Sequence, residues 1–179
     1  MEQDTLEKGK IIIHNKEDSP GLDAFMKELQ AIHSTEPKRV AIMGTRHISL
    51  THQQVIELLA YALALGGNHI VTSGATGTNQ AVIKGVMRAN PGNLTVILPQ
   101  TLEQQPLESR EQLNTLPTLR EHPERCFMTL AQASQMCNRE IIEQCQQLLC
   151  FLYHTSITLA EALSDAKEQH KLVTAFYLD

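Results

Sequence analysis

At 179 residues the chain is long enough for one domain with a full hydrophobic core. Its 42% apolar and 20% charged residues are ordinary for a soluble globular protein, and no apolar run approaches the roughly 18 residues of a membrane helix. The net charge of −5 argues against a broad basic face for bare nucleic acid, so any polyanion site has to be a local pocket.

Residues 1–10 read as a polar tail without the form of a signal peptide, and a cytoplasmic protein is expected. Ile11–Ile13 is a short apolar segment, and Ser19-Pro20-Gly21 is a turn. Helical spacing of Leu22, Phe25, Met26, Leu29 and Ile32 predicts an amphipathic helix from Leu22 to His33, broken by Ser34–Pro37. Residues 1–37 therefore read as an N-terminal extension, and 38–179 as the main domain.

From Lys38 onward, apolar runs alternate with helical patterns. The first strand is Val40–Met43, followed by a helix from Thr51 to Leu65. Thr51 is its expected cap, and Val55, Leu58, Leu59, Ala62 and Leu65 its expected buried stripe. Gly66-Gly67 ends it. Next come a strand at His69–Thr72, a helix at Asn79–Ala89, and a strand at Leu94–Leu98. The polar stretch Gln100–Arg125 holds one helix near Ser109–Leu116 and reads as a lid or partner surface. A helix at Leu130–Gln144, a strand at Gln147–Tyr153, a helix at Leu159–Gln169 and a strand at Leu172–Tyr177 complete the chain.

Strands alternating with helices predict an α/β fold, Rossmann-like and doubly wound, with a mainly parallel sheet of about five strands. Right-handed crossovers bring every strand-to-helix turn to one sheet edge. Two of these turns are rich in glycine and hydroxyl residues. Gly44-Thr45-Arg46 offers a close backbone approach, a hydroxyl and a bidentate phosphate donor. Ser73-Gly74-Ala75-Thr76-Gly77-Thr78 packs three hydroxyls and two glycines into six residues directly after a strand. Such a loop can aim several donors at one anion. It lacks the P-loop lysine and the GxGxxG order, so neither a Walker-type site nor a dinucleotide fingerprint is read. Lys84 and Arg88 read as solvated helix charges.

The four cysteines, Cys126, Cys137, Cys145 and Cys150, have no zinc spacing and read as packed free thiols. His47, His52 and His154 are candidates to gather near the turns, but no carboxylate or cysteine completes a ligand set, and neither a metal nor a cofactor is expected. Four Phe, three Tyr and no Trp leave few platforms for stacking bases.

Three of these motifs together resemble one family. Val40-Ala-Ile-Met-Gly-Thr-Arg46, the Ser73–Thr78 loop with Lys84-Gly85, and Cys137-Asn-Arg-Glu-Ile-Ile142 are similar to the "VGTR", "SGGARGID" and "RNRII" motifs of the DNA-processing protein A family. The match runs over residues 38–178. This chain has Thr76 and Asn79 where the family loop has arginine and aspartate. The resemblance implies a recombination-mediator-like protein that binds single-stranded DNA or a nucleotide without metal. Phosphate would lie on Gly44–Arg46, Ser73–Thr78 and Arg139. It further implies a homodimer or larger symmetric assembly, since helices of this fold commonly pair between subunits.

A second likeness competes with the first. The lonely-guy phosphoribohydrolases of the same superfamily carry an arginine followed by "PGGxGTxxE". Arg139 fits the arginine, and Tyr153–Glu161 overlays the second motif, keeping Thr158 and Glu161 but none of its glycines. That resemblance implies Glu161 and Arg139 as catalytic residues in N-glycosidic cleavage of a nucleoside monophosphate, with Thr158 on the phosphate. A third reading is an assembly protein that keeps the fold without the ligand.

Overall fold

Alternating apolar strands buried on both faces can only be covered by helices on both sides of one sheet, and the chain adopts that arrangement. The computed structural model describes residues 26–27 and 38–179. Its elements run β1 (Arg39–Gly44), α1 (Leu50–Leu65), β2 (His69–Ser73), α2 (Thr78–Ala89), β3 (Leu94–Ile97), α3 (Leu107–Leu113), β4 (Leu119–Arg120), α4 (Leu130–Glu143), β5 (Gln147–Leu152), α5 (Ile157–Glu168) and β6 (Leu172–Tyr177). The sheet has six strands in the order β4-β3-β2-β1-β5-β6, every pairing parallel. The α/β doubly wound reading therefore holds, with one strand more than expected. The extra strand is the two-residue β4, which pairs with the end of β3 from inside the long connection and carries no apolar run of its own.

The expected apolar segment Ile11–Ile13 lies outside the described residues. So does the helix at Leu22–His33, apart from Met26 and Lys27, which are helical. No helix among the described residues is long and apolar enough to cross a membrane.

Period-two alternation along β1 divides the core. Val40 and Ile42 pack with Ile56, Ala60 and Val82 from α1 and α2, while Ala41 and Met43 pack with Cys137, Ile141 and Leu163 from α4 and α5. On α1 the structure corrects two expectations. Ser49, not Thr51, caps the helix, its hydroxyl accepting from the His52 amide at 3.2 Å. The buried positions are Ile56, Ala60 and Ala64, whereas Val55, Leu58 and Leu65 are 57%, 66% and 65% exposed. The helix is apolar nearly all round, so its pattern does not choose a face. The choice is made by Gly85 on α2, where any Cβ would run into the Glu57 carbonyl and lie 3.1 Å from Ala60 Cβ. Small residues at that crossing let the two backbones approach.

The long connection is held down at several points. The Gln100 amide, 7% exposed, donates to the carbonyls of Arg125 (3.0 Å) and Met128 (3.1 Å), tying its two ends together. Leu113 of α3 is buried, and Glu140 of α4 accepts from Arg120 (3.0 Å) and Arg125 (2.9 Å). Rather than hanging free as a lid, the segment forms one wall of the cavity described next.

Candidate functional site

The chain leaves β1 for β2 on one side and returns through β5 on the other, so the strand order reverses between β1 and β5. The carboxyl ends of the strands at such a reversal leave a crevice. A cavity of about 580 Å³ occupies it. Thr45 and Arg46 line it from the β1 turn, Ser73, Ala75, Thr76 and Asn79 from the β2 turn, and Ser156–Leu159 from the start of α5. Ser134, Cys137 and Asn138 of α4 add the far side, and Pro99, Gln104, Gln105 and Pro106 the wall.

Within the two glycine turns the structure separates residues that face this space from residues that hold it open. Arg46 is exposed and makes no ion pair or side-chain hydrogen bond among the described residues. Thr76 also faces the cavity. Gly44 borders it, and a Cβ there would lie 2.5 Å from the Phe151 carbonyl and 2.6 Å from Thr78 Oγ1, so the glycine lets β1, β5 and the second turn meet. Gly77 has φ +73°, and a Cβ on it would strike the Arg46 carbonyl. Thr78 is fully buried, its hydroxyl donating to the Thr45 carbonyl at 2.9 Å and its amide to the same oxygen at 3.2 Å. Gly74 is buried against Leu98 and Leu113. Gly74, Gly77 and Thr78 thus lie behind the cavity wall; Gly77 and Thr78 dock one turn on the other, and Thr78 has no donor left for an anion.

The remaining sequence candidates fall in a neighbouring groove. Arg139 and Glu161 line a second space of about 530 Å³ between α4 and α5, along with Met128, Gln135, Met136 and Asp165. Arg139 Nη2 lies 3.6 Å from Asp165 Oδ2, and the Glu161 carboxylate accepts from the Gln135 amide at 3.0 Å. Glu161 is exposed in the second turn of α5, which begins at Ile157, two residues before the expected start. Thr158 and Asn138 border both spaces.

None of the three histidines lines the cavity. The Tyr153 hydroxyl donates to the His47 carbonyl at 3.0 Å, His52 lies on α1, and His154 stacks on Tyr177 and pairs with Asp179 at 2.7 Å. Among the described residues no three His, Cys, Asp or Glu side chains gather around a point that would hold a metal ion. Cys137 forms part of the floor. Burial, reinforced by the nearby Glu140 charge, pushes its thiol up to about 12, and its Sγ lies 3.3 Å from the Ile97 carbonyl.

Sequence reasoning passed over Ser134, Asn138 and the wall residues. Asn138 stood inside the Cys-Asn-Arg motif, but a helix turns about 100° per residue, so Cys137 and Asn138 line this cavity while Arg139 faces the neighbouring groove. Asn79 carries the clearest unfilled valence. Its amide nitrogen donates to Ser73 Oγ at 2.5 Å, the residue is 3% exposed, and its carbonyl oxygen has no partner.

Neither a protein-family model nor a curated protein matches the chain. Solved structures do. DNA processing protein A from Helicobacter pylori superposes with a TM-score of 0.65 at 20% identity, over 78% of this chain and 65% of that one. The fold is that of DNA processing protein A. The protein of that name from Streptococcus pneumoniae gives a TM-score of 0.58 at 18% identity, over 78% of this chain and 50% of that one. The chain thus spans between half and two thirds of the DNA processing protein A chains it superposes on.

Proposed function

We propose that the cavity at the β1–β5 reversal binds the phosphate and sugar of a single-stranded nucleic acid or nucleotide, without chemistry on it. One observation carries the reading. Among the described residues, the side chains that border the cavity include a single ion, the guanidinium of Arg46, which has no ion-pair partner among them and is set among hydroxyl and amide groups with the start of α5. Ser156 leaves that helix start without a side-chain cap, so its first amides remain available to an anion. The volume of about 580 Å³ lies in the range of small-ligand sites. The other titratable group on the lining, Cys137, is held as a neutral thiol. This favours holding a ligand over general acid–base work. The Helicobacter pylori protein of the same fold binds single-stranded DNA, which supports the polymer over the mononucleotide. A strand leaving the cavity past Thr158 would enter the groove that holds Arg139.

Fluorescence anisotropy of a labelled oligothymidylate across a salt series tests this. With Arg46 and Arg139 as the two phosphate partners, log affinity should fall with log salt at a slope of about −1.4. Arg46→Ala should weaken binding about 10- to 100-fold, the worth of one charge-assisted hydrogen bond. Absence of binding at low salt removes the polymer reading. If nucleoside monophosphates also fail to bind, the nucleotide reading goes with it.

A further inference from the structure

A buried amide side chain that serves packing alone has both of its ends hydrogen-bonded. Asn79 has one. It is buried in the first turn of α2, and its amide nitrogen donates to Ser73 Oγ at 2.5 Å while its carbonyl oxygen stays without a partner among the described residues. Turning the amide over would bury unpaired N–H groups in place of the carbonyl, and orphaned donors are the rarer of the two in folded proteins. The donor end therefore belongs toward Ser73. The orphaned oxygen is destabilising, and leucine would fill a similar volume without it.

Ser73 ends β2, paired in register with Ile97, and lines the cavity at the β1–β5 reversal together with Arg46 and Thr76. A serine hydroxyl has one proton and two lone pairs. The Asn79 N–H occupies a lone pair, and no acceptor among the described residues takes the proton. Asn79 cannot swing away, because the start of its helix is fastened through the Thr78 hydroxyl to the Thr45 carbonyl. The Ser73 proton is thereby directed away from Asn79.

We propose that Asn79 is a positioning residue that sets the Ser73 hydroxyl as a donor to a phosphate oxygen of the ligand. This rests on the reading that the cavity holds phosphate. An ionised phosphate oxygen only accepts, and hydrogen bonds to it are stronger than those between neutral groups. Arg46, the first amides of α5 and a Ser73 hydroxyl so directed all offer protons to it. Without Asn79 the hydroxyl rotates freely and turns its proton to water. With Asn79 in place, donation to the ligand needs no reorientation. The unpaired Asn79 oxygen is the consequence of aiming the N–H end at Ser73.

A double-mutant cycle on the full chain decides this, with affinity for labelled oligothymidylate read by fluorescence anisotropy and Tm by circular dichroism. Ser73→Ala should weaken binding about 10-fold, the worth of one hydrogen bond to a charged group. Ser73→Thr, which keeps the hydroxyl, should stay within about 3-fold of the unaltered chain. Asn79→Leu should weaken binding about 5-fold by itself, and by less than about 2-fold when added to Ser73→Ala. Its Tm should hold or rise, because the orphaned oxygen is gone. An Asn79 that only holds the turn together predicts the opposite: a lower Tm, and the same loss of affinity with or without the Ser73 hydroxyl. That pattern overturns the proposal, as does full affinity in Ser73→Ala. Should leucine be too bulky for the protein to fold, Asn79→Ala takes its place and the coupling to Ser73 decides alone. An unaltered chain that binds neither oligothymidylate nor thymidine monophosphate removes the phosphate reading and this inference with it. Binding that is indifferent to Ser73 removes this inference and leaves that reading standing.

Discussion

Gly77→Ala is the sharpest perturbation of the turn architecture. Gly77 caps α2 at φ +73° and ψ −117°, a region that side chains with a Cβ scarcely visit. Forcing alanine there costs about 1–3 kcal/mol in backbone strain. The new methyl would also meet the Arg46 carbonyl, a backbone atom fixed by the turn that Thr78 holds through the adjacent Thr45 oxygen. Moving it means lengthening those bonds, for about 1 kcal/mol more. A total near 3 kcal/mol lowers Tm by about 6–12 °C in a chain of this size. Thermal unfolding followed by circular dichroism measures it. Thr76→Ala, one residue away and facing the cavity, supplies the contrast: Tm should hold within about 1–2 °C, because no hydrogen bond is lost, while oligonucleotide affinity falls. A Gly77→Ala protein with unchanged Tm would refute the claim that this glycine exists to dock the turns.

Glu140 should give the protein an acid-side dependence. Burial raises its carboxyl, but hydrogen bonds from Arg120 and Arg125 and the charge of His122 outweigh that and hold it below its ordinary range. Its contribution is therefore present above the unfolded-state value and is lost as pH falls through the lower folded one. Glu140→Gln should cost about 2 kcal/mol near neutrality and flatten the loss of stability below pH 5, as read by urea unfolding at several pH values. Ser49→Ala should cost about 1 kcal/mol in the same assay, because it removes the α1 cap. Among the thiols, Cys145 and Cys150 are pushed up to about 12 by burial, as Cys137 is, whereas Cys126 is partly exposed. A colorimetric thiol titration of the native protein should show one fast group, lost in Cys126→Ser, and three that react only on unfolding.

How far the sequence revealed the fold follows from what each element needs. The strands at Val40, His69, Leu94 and Gln147 announced themselves because a strand buried on both faces must be continuously apolar, and the half-exposed edge strand at Leu172 did so through its β-branched and aromatic residues. β4 had no such signal, since two residues completed by the backbone of β3 require no pattern of their own. The face of α1 was misread for a related reason. With apolar residues all round, local periodicity is silent, and the decision rests on Gly85, twenty or more positions away, which makes room for Ala60. Helix faces set by a tertiary crossing are not written in the helix.

The site divides along the same line. Glycine and hydroxyl residues after a strand mark a turn that something approaches closely, but they do not say whether the approach is by a ligand or by the neighbouring turn. Here much of it is by the neighbouring turn. Gly77 meets the Arg46 carbonyl, Thr78 holds the Thr45 carbonyl, and Gly44 admits Phe151. That packing has a consequence for the ligand side. Because the backbone of Thr45 is fixed from behind by Thr78 and by its own amide bond to the Phe151 carbonyl at 2.9 Å, Arg46 is launched from a rigid base. A guanidinium so placed loses less freedom on binding an anion than one on a loose loop. The glycines that touch no ligand would then still set its affinity, and a substitution such as Gly77→Ala should weaken binding and stability together, whereas Arg46→Ala should weaken binding alone.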